Sequence, residues 1–278
     1  MTEKEIQFRK KREIGDIFSD TFIFIRQEIQ PISRLVAIYV LPFILLYAVV
    51  QVYLQKNVIN KIDFSDSEAL LANIGPIYLN VFLFALFGLF VQSLLIATYY
   101  TFIEAYVKKG NSNFDLSEIT PYLFSNGLLA IGTSFIIFVI SILGFILCFV
   151  PGIYFANTLS LAIVILIFEK KGLSQALRRS ALLVNSQWWS TFLINLSGIV
   201  IIWVASFIMS IPMTLTGLSV NIFEPAKTPI EFPDWYWLVI GVSTAISSVL
   251  YIILYTFMAF QYFNLDERTK DLFPTRDL

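Results

Sequence analysis

Residues 150–194 read VPGIYFANTLSLAIVILIFEKKGLSQALRRSALLVNSQWWSTFLI. The order of residue types in this stretch decides the fold. Pro151-Gly152 is a turn signal between two apolar runs, because proline cannot continue a helix interior and glycine tolerates the backbone of a reversal. A helix unbroken from 128 to 168 would have about 41 residues and measure roughly 61 Å, twice the thickness of a bilayer core. The spacing therefore predicts that the chain turns back at Pro151-Gly152 and recrosses over 153–168. Residues 172–187 then place Leu173, Ala176, Leu177, Ser180, Ala181 and Val184 on one helical face, with Gln175, Arg178 and Arg179 elsewhere. That pattern is an amphipathic helix lying in the membrane interface. Trp188 and Trp189 mark re-entry into lipid, at the depth where amphipathic rings settle.

The surrounding chain agrees with this reading. It is 57% hydrophobic and only 14% charged, whereas soluble domains carry about a quarter charged residues. Apolar runs recur at about 34–54, 76–107, 123–150, 153–168, 189–211 and 235–263. Inside lipid such runs must be helices, since open strands would leave backbone groups unpaired. The expected fold is an all-α integral membrane protein: a six-transmembrane-helix bundle with amphipathic interfacial helices on the cytoplasmic side. It occupies 14–265 as one domain, between a loosely ordered basic segment, 1–13, and a cytoplasmic tail, 266–278. No cleavable signal peptide is expected, because the first apolar run starts some thirty residues in.

Finer features follow from spacing. Ile14, Ile17, Phe18, Thr21, Phe22, Ile25 and Ile29 repeat at helical intervals opposite Asp16, Ser19, Asp20 and Gln27, which predicts an interfacial helix over 14–30 ending near Pro31. Pro42 should kink the first span, and Pro212 should end the fifth ahead of a polar loop over 213–234. Gly152, Ala156 and Ser160 recur every fourth residue and form a helix-packing seam, because small side chains let backbones approach. Trp235 and Trp237 anchor the sixth span as Trp188 and Trp189 anchor the fifth. Amphipathic segments at 14–30 and 172–187 precede helical hairpins, and 115–126 reads as a degraded third copy. Cys148, the single cysteine, lies in the third apolar run as a small packing residue.

Charge sets orientation. With six spans, sixteen of the nineteen Lys and Arg fall on the side of the termini, leaving Lys56, Lys61 and Lys227 opposite. That asymmetry places both termini in the cytoplasm. It also puts Lys170, Lys171, Arg178 and Arg179 at the inner headgroup layer, where they would contact anionic membrane lipids.

The Pro-Gly turn, Glu169, the Gly172 turn and LSQALRRSALLVNSQWW together resemble a segment of a loosely defined group of bacterial inner-membrane proteins. That group includes the membrane domain of some glycerophosphodiester phosphodiesterases and the YciC-type envelope proteins. The resemblance covers about 140–200. It implies a six-helix cytoplasmic-membrane bundle without an activity, since the phosphodiesterase chemistry belongs to a separate soluble domain.

Catalytic residues are not visible. Histidine, the commonest general base and metal ligand, is absent from the sequence, and no P-loop, GxSxG, HExxH or paired-cysteine motif occurs. No cofactor or metal is expected, and no basic domain supports nucleic-acid binding. No ionised residue falls in the middle of a span, which weighs against ion-coupled transport. Two readings lead, ahead of a third, an enzyme working at the membrane face with carboxylates at helix ends, which nothing in the sequence pairs. One is a non-catalytic accessory or organising protein of the inner membrane, working through lipid and a membrane-protein partner. The other is a transporter or channel with a neutral polar cavity lined by Asn157, Gln92 and Asn195, with Gln261 nearby.

Overall fold

The computed structural model describes residues 6–61, 67–110, 116–223 and 232–272. Its α-helices are α1 (Ile14–Gln27), α2 (Ile29–Tyr39), α3 (Leu41–Asn57), α4 (Ser67–Lys109), α5 (Leu116–Leu147), α6 (Phe149–Thr158), α7 (Ala162–Glu169), α8 (Leu173–Ser186), α9 (Trp188–Phe223) and α10 (Asp234–Leu272). No strand occurs among the described residues, and the protein is an all-α membrane protein. Five segments are long and apolar enough to cross a bilayer: Ile74–Lys109, Thr120–Leu147, Phe149–Glu169, Trp188–Gly217 and Asp234–Lys270. The pair α2–α3, bent at Val40, makes a sixth if counted as one span.

The first span bends by 61° beside Pro42, as a proline kink requires, while the placement of the prolines differs from the sequence expectation. Pro31, Pro42 and Pro151 each lie in the first turn of a helix, α2, α3 and α6, where the missing N–H has no intrahelical partner to lose. The breaks therefore precede them, at Glu28, Val40 and Cys148. Cys148 is extended, at φ −172° and ψ 152°, and exposed rather than packed inside, so the hairpin turns there. The returning span starts at Phe149, not 153, and its 21 residues reach about 31 Å, enough to cross. Pro212 lies within α9, so the loop expected from 213 begins as helix. The Thr216 hydroxyl donates to the Pro212 carbonyl at 2.8 Å, the i−4 back-bond that helical threonines make; the carbonyl that Pro212 leaves without an N–H partner is that of Ile208. Residues 116–126 belong to α5 and form no separate interfacial helix.

The chain divides into two compact units. The first comprises 1–40, 93–200 and 251–278, and the second 41–92 and 201–250.

In the first unit α7 is the central element. Leu161 and every residue from Ala162 to Ile167 are buried, as a helix apolar on all sides demands. A T-shaped pair joins Phe168 to Tyr262, with centroids 5.6 Å apart, and a stacked pair joins it to Phe263 at 5.4 Å. The α5–α6 hairpin closes on two glycines: a Cβ on Gly144 would stand 2.9 Å from the Gly152 Cα, and one on Gly152 would stand 2.5 Å from the Phe145 ring. Only glycine permits that approach. The expected 152/156/160 seam is interrupted, because the helix breaks between Thr158 and Ala162; Gly152 is buried while Ala156 and Ser160 are half-buried.

The buried face of α1–α2 runs Ile17, Thr21, Phe24, Glu28, a single stripe at helical spacing. Phe22 and Ile29, expected on it, are exposed. The basic N-terminal segment is docked rather than loose. Phe8 is buried, stacks on Phe260 at 4.4 Å between centroids, and meets Phe24 edge-on at 5.0 Å. Residues 1–5 and 273–278 lie outside the described chain.

The second unit is held by its own contacts. Tyr47 stacks on Phe84 at 4.5 Å, and its ring lies 3.0–3.2 Å from where a Gly88 Cβ would be. The Thr244 hydroxyl donates to Gln51 Oε1 at 2.6 Å, and Ser206 meets Ser247 hydroxyl to hydroxyl at 2.9 Å. Lys56 lies 3.5 Å from Asp234 and 5.8 Å from the centroid of Trp237.

Candidate functional site

The most elaborate side-chain chemistry lies in the first unit, where α8, the end of α7 and the last turns of α10 converge. α8 forms because Leu173, Ala176, Ser180, Leu183 and Val184 fall on one stripe; the last four are buried. The same helix aims Arg179 inward and Arg178 outward. Arg179 donates through Nε to Glu169 Oε1 and through Nη2 to Asp266 Oδ1 at 2.7 Å. Glu169 also accepts from the Tyr262 hydroxyl at 3.0 Å and pairs with Lys171 at 2.8 Å. Both carboxylates are largely buried. Burial disfavours the charged guanidinium, but the Glu169 hydrogen bond and the nearby charges of Glu169 and Asp266 outweigh it and push the Arg179 pKa up.

A second network ties the N-terminal segment to α10. The Arg12 guanidinium stacks over Phe260 at 4.5 Å, pairs with Asp20 at 2.8 Å, and donates to the Phe8 and Gln7 carbonyls. Its backbone N–H donates to Asn264 Oδ1 at 2.9 Å. Arg268 returns the contact, donating to the Arg12 carbonyl at 2.9 Å. Asn264 then donates to Gln261 Oε1, and Gln261 Nε2 to the Thr191 hydroxyl at 2.9 Å. Buried polar groups thus find partners in one another.

The sequence-derived candidates separate on this geometry. Of the four expected headgroup cations, Arg179, Lys170 and Lys171 are in ion pairs within the protein, and Arg178 is exposed with no ion-pair partner among the described residues. Of the four tryptophans, Trp189 and Trp235 are exposed, Trp237 is buried and Trp188 is half-buried, stacked on Phe192 at 5.2 Å. Asn195 Nδ2 donates to Asn157 Oδ1 at 2.9 Å, and Asn157 Nδ2 to the Trp188 carbonyl at 3.3 Å. These two candidates for a polar cavity are brought together as a hydrogen-bonded pair, while Gln92 belongs to the second unit.

Sequence reasoning missed Arg12, Asp20 and Asp266. Arg12 falls in the segment expected to be loosely ordered and Asp266 in the charged cytoplasmic tail, although Phe8 within a basic run and the helical spacing of Gln261, Asn264 and Arg268 past the last apolar turn both signal order. Among the described residues no group of three or more His, Cys, Asp or Glu is placed to hold a metal ion. No family model, curated protein or solved structure matches the chain.

Proposed function

We propose that the chain is a non-catalytic, multi-pass protein of a bacterial inner membrane, with both termini cytoplasmic, serving as an accessory or organising component of a membrane complex or of envelope maintenance. The observation that carries this reading is where the charge goes. Arg12, Glu169, Arg179 and Asp266 are spent on one another or on Asp20 and backbone carbonyls, joining α8, α10 and the N-terminal segment. What α8 leaves outward is Arg178 beside the exposed apolar Leu182, a surface suited to anionic lipid or to another membrane protein. The resemblance of 140–200 to catalytically silent membrane domains supports the same reading.

The test is purification of the full chain in mild detergent after crosslinking in membranes. A membrane protein recovered in fixed ratio is the expected result. Solute flux through vesicles holding the purified chain alone would overturn the reading, and a periplasmic reporter fused near residue 175 would overturn the orientation.

One observation favours the alternative, a small-molecule or lipid transporter. The span Phe149–Glu169 is broken between α6 and α7, and the Thr158 and Ser160 hydroxyls and the Trp188 indole N–H are buried without hydrogen-bond partners among the described residues. Broken helices with polar groups left unsatisfied at the break are how transporters build midplane sites, and the same flux measurement decides between the two.

A further inference from the structure

A pocket of about 300 Å³ opens where the end of α4, the start of α5 and the α7–α8 junction meet. Its walls include Lys108, Lys109 and Lys170, the carboxylates Glu104 and Glu118, and Tyr122. Among the described lining residues, three ammoniums against two carboxylates leave one positive charge. Glu104, itself mostly buried, uses one oxygen for each of two lysines: Oε1 accepts from Lys108 at 2.6 Å and Oε2 from Lys170 at 2.9 Å. It thereby fixes two like charges side by side, an arrangement that attracts an anion. An ammonium has three N–H donors, so this single carboxylate contact leaves Lys108 and Lys170 able to donate again. Lys109 pairs with Glu118 at 2.5 Å across the mouth.

Two further observations point to a ligand at this place. Lys170 has φ +52°, the single positive φ outside glycine among the described residues. A lysine held in that disfavoured region is a strain of the kind that clusters at ligand clamps. The position is also informative. One apolar span ends at Lys109 and the next begins at Thr120, so the pocket lies beside the ends of two apolar helices, where an amphiphilic ligand would approach. From Glu118 and Tyr122 the same side of α5 passes the exposed Ser125 and then reaches the exposed Leu128 and Leu129, so apolar surface begins about two turns beyond the pocket, where an acyl chain could lie.

We propose that this pocket binds a phosphate group, carried by an anionic phospholipid whose acyl chain lies along the Tyr122–Leu129 face. The inference deepens the lipid side of the proposed function and rests on it for the carrier. Its test is lipid retention by the isolated chain, which can fail while a protein partner is still found.

The full-length protein in detergent is titrated with phosphatidylglycerol, with diacylglycerol and with inorganic phosphate, and bound species are counted by native mass spectrometry. Phosphatidylglycerol is expected to bind and diacylglycerol not. Lys108→Gln and Lys170→Asn should each weaken phosphatidylglycerol about fivefold, and Lys10→Gln, exposed on the N-terminal segment outside the pocket, should leave it unchanged. Glu118→Gln, at an exposed position, raises the pocket's net charge and should tighten binding about threefold. Equal binding to all four variants overturns the site. Inorganic phosphate that competes at equal concentration, with the same response to the variants, overturns the lipid carrier while retaining the phosphate site.

Discussion

Arg179 in α8 and Asp266 in α10 stand 87 residues apart in sequence and 2.7 Å apart between Nη2 and Oδ1. Glu169 occupies the other edge of the same guanidinium. Arg179→Ala would leave two largely buried carboxylates without their cation, which should lower stability by about 2 to 4 kcal/mol. Arg178→Ala, one residue away but outward, should stay within about 0.5 kcal/mol. Thermal unfolding of both variants in one detergent checks the contrast, and equal losses would sink the assignment. The Arg179 pKa is raised in the folded state, so its stabilisation is complete below the ordinary arginine value and is lost only above it. The difference between wild type and Arg179→Ala should therefore be the same at pH 7 and pH 9.

Gly152 and Gly132 should respond oppositely to alanine. A Cβ at Gly152 would stand 2.5 Å from the Cγ and Cδ1 of Phe145, whereas one at Gly132 would have nothing within 4 Å. Gly152→Ala forces the α5–α6 hairpin apart and should cost about 1 to 3 kcal/mol. Gly132→Ala removes a helix-interior glycine and should gain about 0.5 to 1 kcal/mol. Melting temperatures moving in the same direction for both would show that the hairpin does not close on Gly152.

These contrasts mark what was legible in the sequence. Hydrophobic run length gave the spans, and the stripe through Ala176, Ser180 and Val184 gave α8. The burial of α7 was not legible, because AIVILIF would look the same facing lipid or facing protein: both surroundings are apolar, so periodicity has nothing to contrast. Pro31, Pro42 and Pro151 mark helix boundaries but not on which side of each boundary they fall. The Arg179–Asp266 pair was hidden for a third reason, since nothing local to α8 specifies a partner on α10.

Phe8 is the anchor of the N-terminal segment, packed between Phe260 and Phe24. Phe8→Ala should cost about 3 kcal/mol through lost burial and the cavity left behind. Because Arg9, Lys10, Lys11 and Arg12 follow at once, undocking frees the backbone around a run of tryptic sites, of which only Arg12 is buried in the docked segment. Limited trypsin digestion under native conditions should cut the variant there faster than wild type, as cleavage follows the open population. Equal rates would mean that Phe8 does not hold the segment down.

Lys170 ends α7 in the left-handed region, at φ 52° and ψ 31°, where a side chain other than glycine costs about 1 kcal/mol. Its ammonium recovers part of that through Glu104 at 2.9 Å, a pair whose lysine is half exposed and so contributes at most about 1 kcal/mol. Lys170→Ala keeps the strain and loses the pair; Lys170→Gly loses the pair but relieves the strain. The glycine variant should therefore be about 1 kcal/mol more stable than the alanine variant and close to wild type, as read by unfolding in detergent. Alanine equal to or better than glycine would mean that the junction relaxes out of the left-handed conformation. The turn would then owe its geometry to Gly172 instead of Lys170.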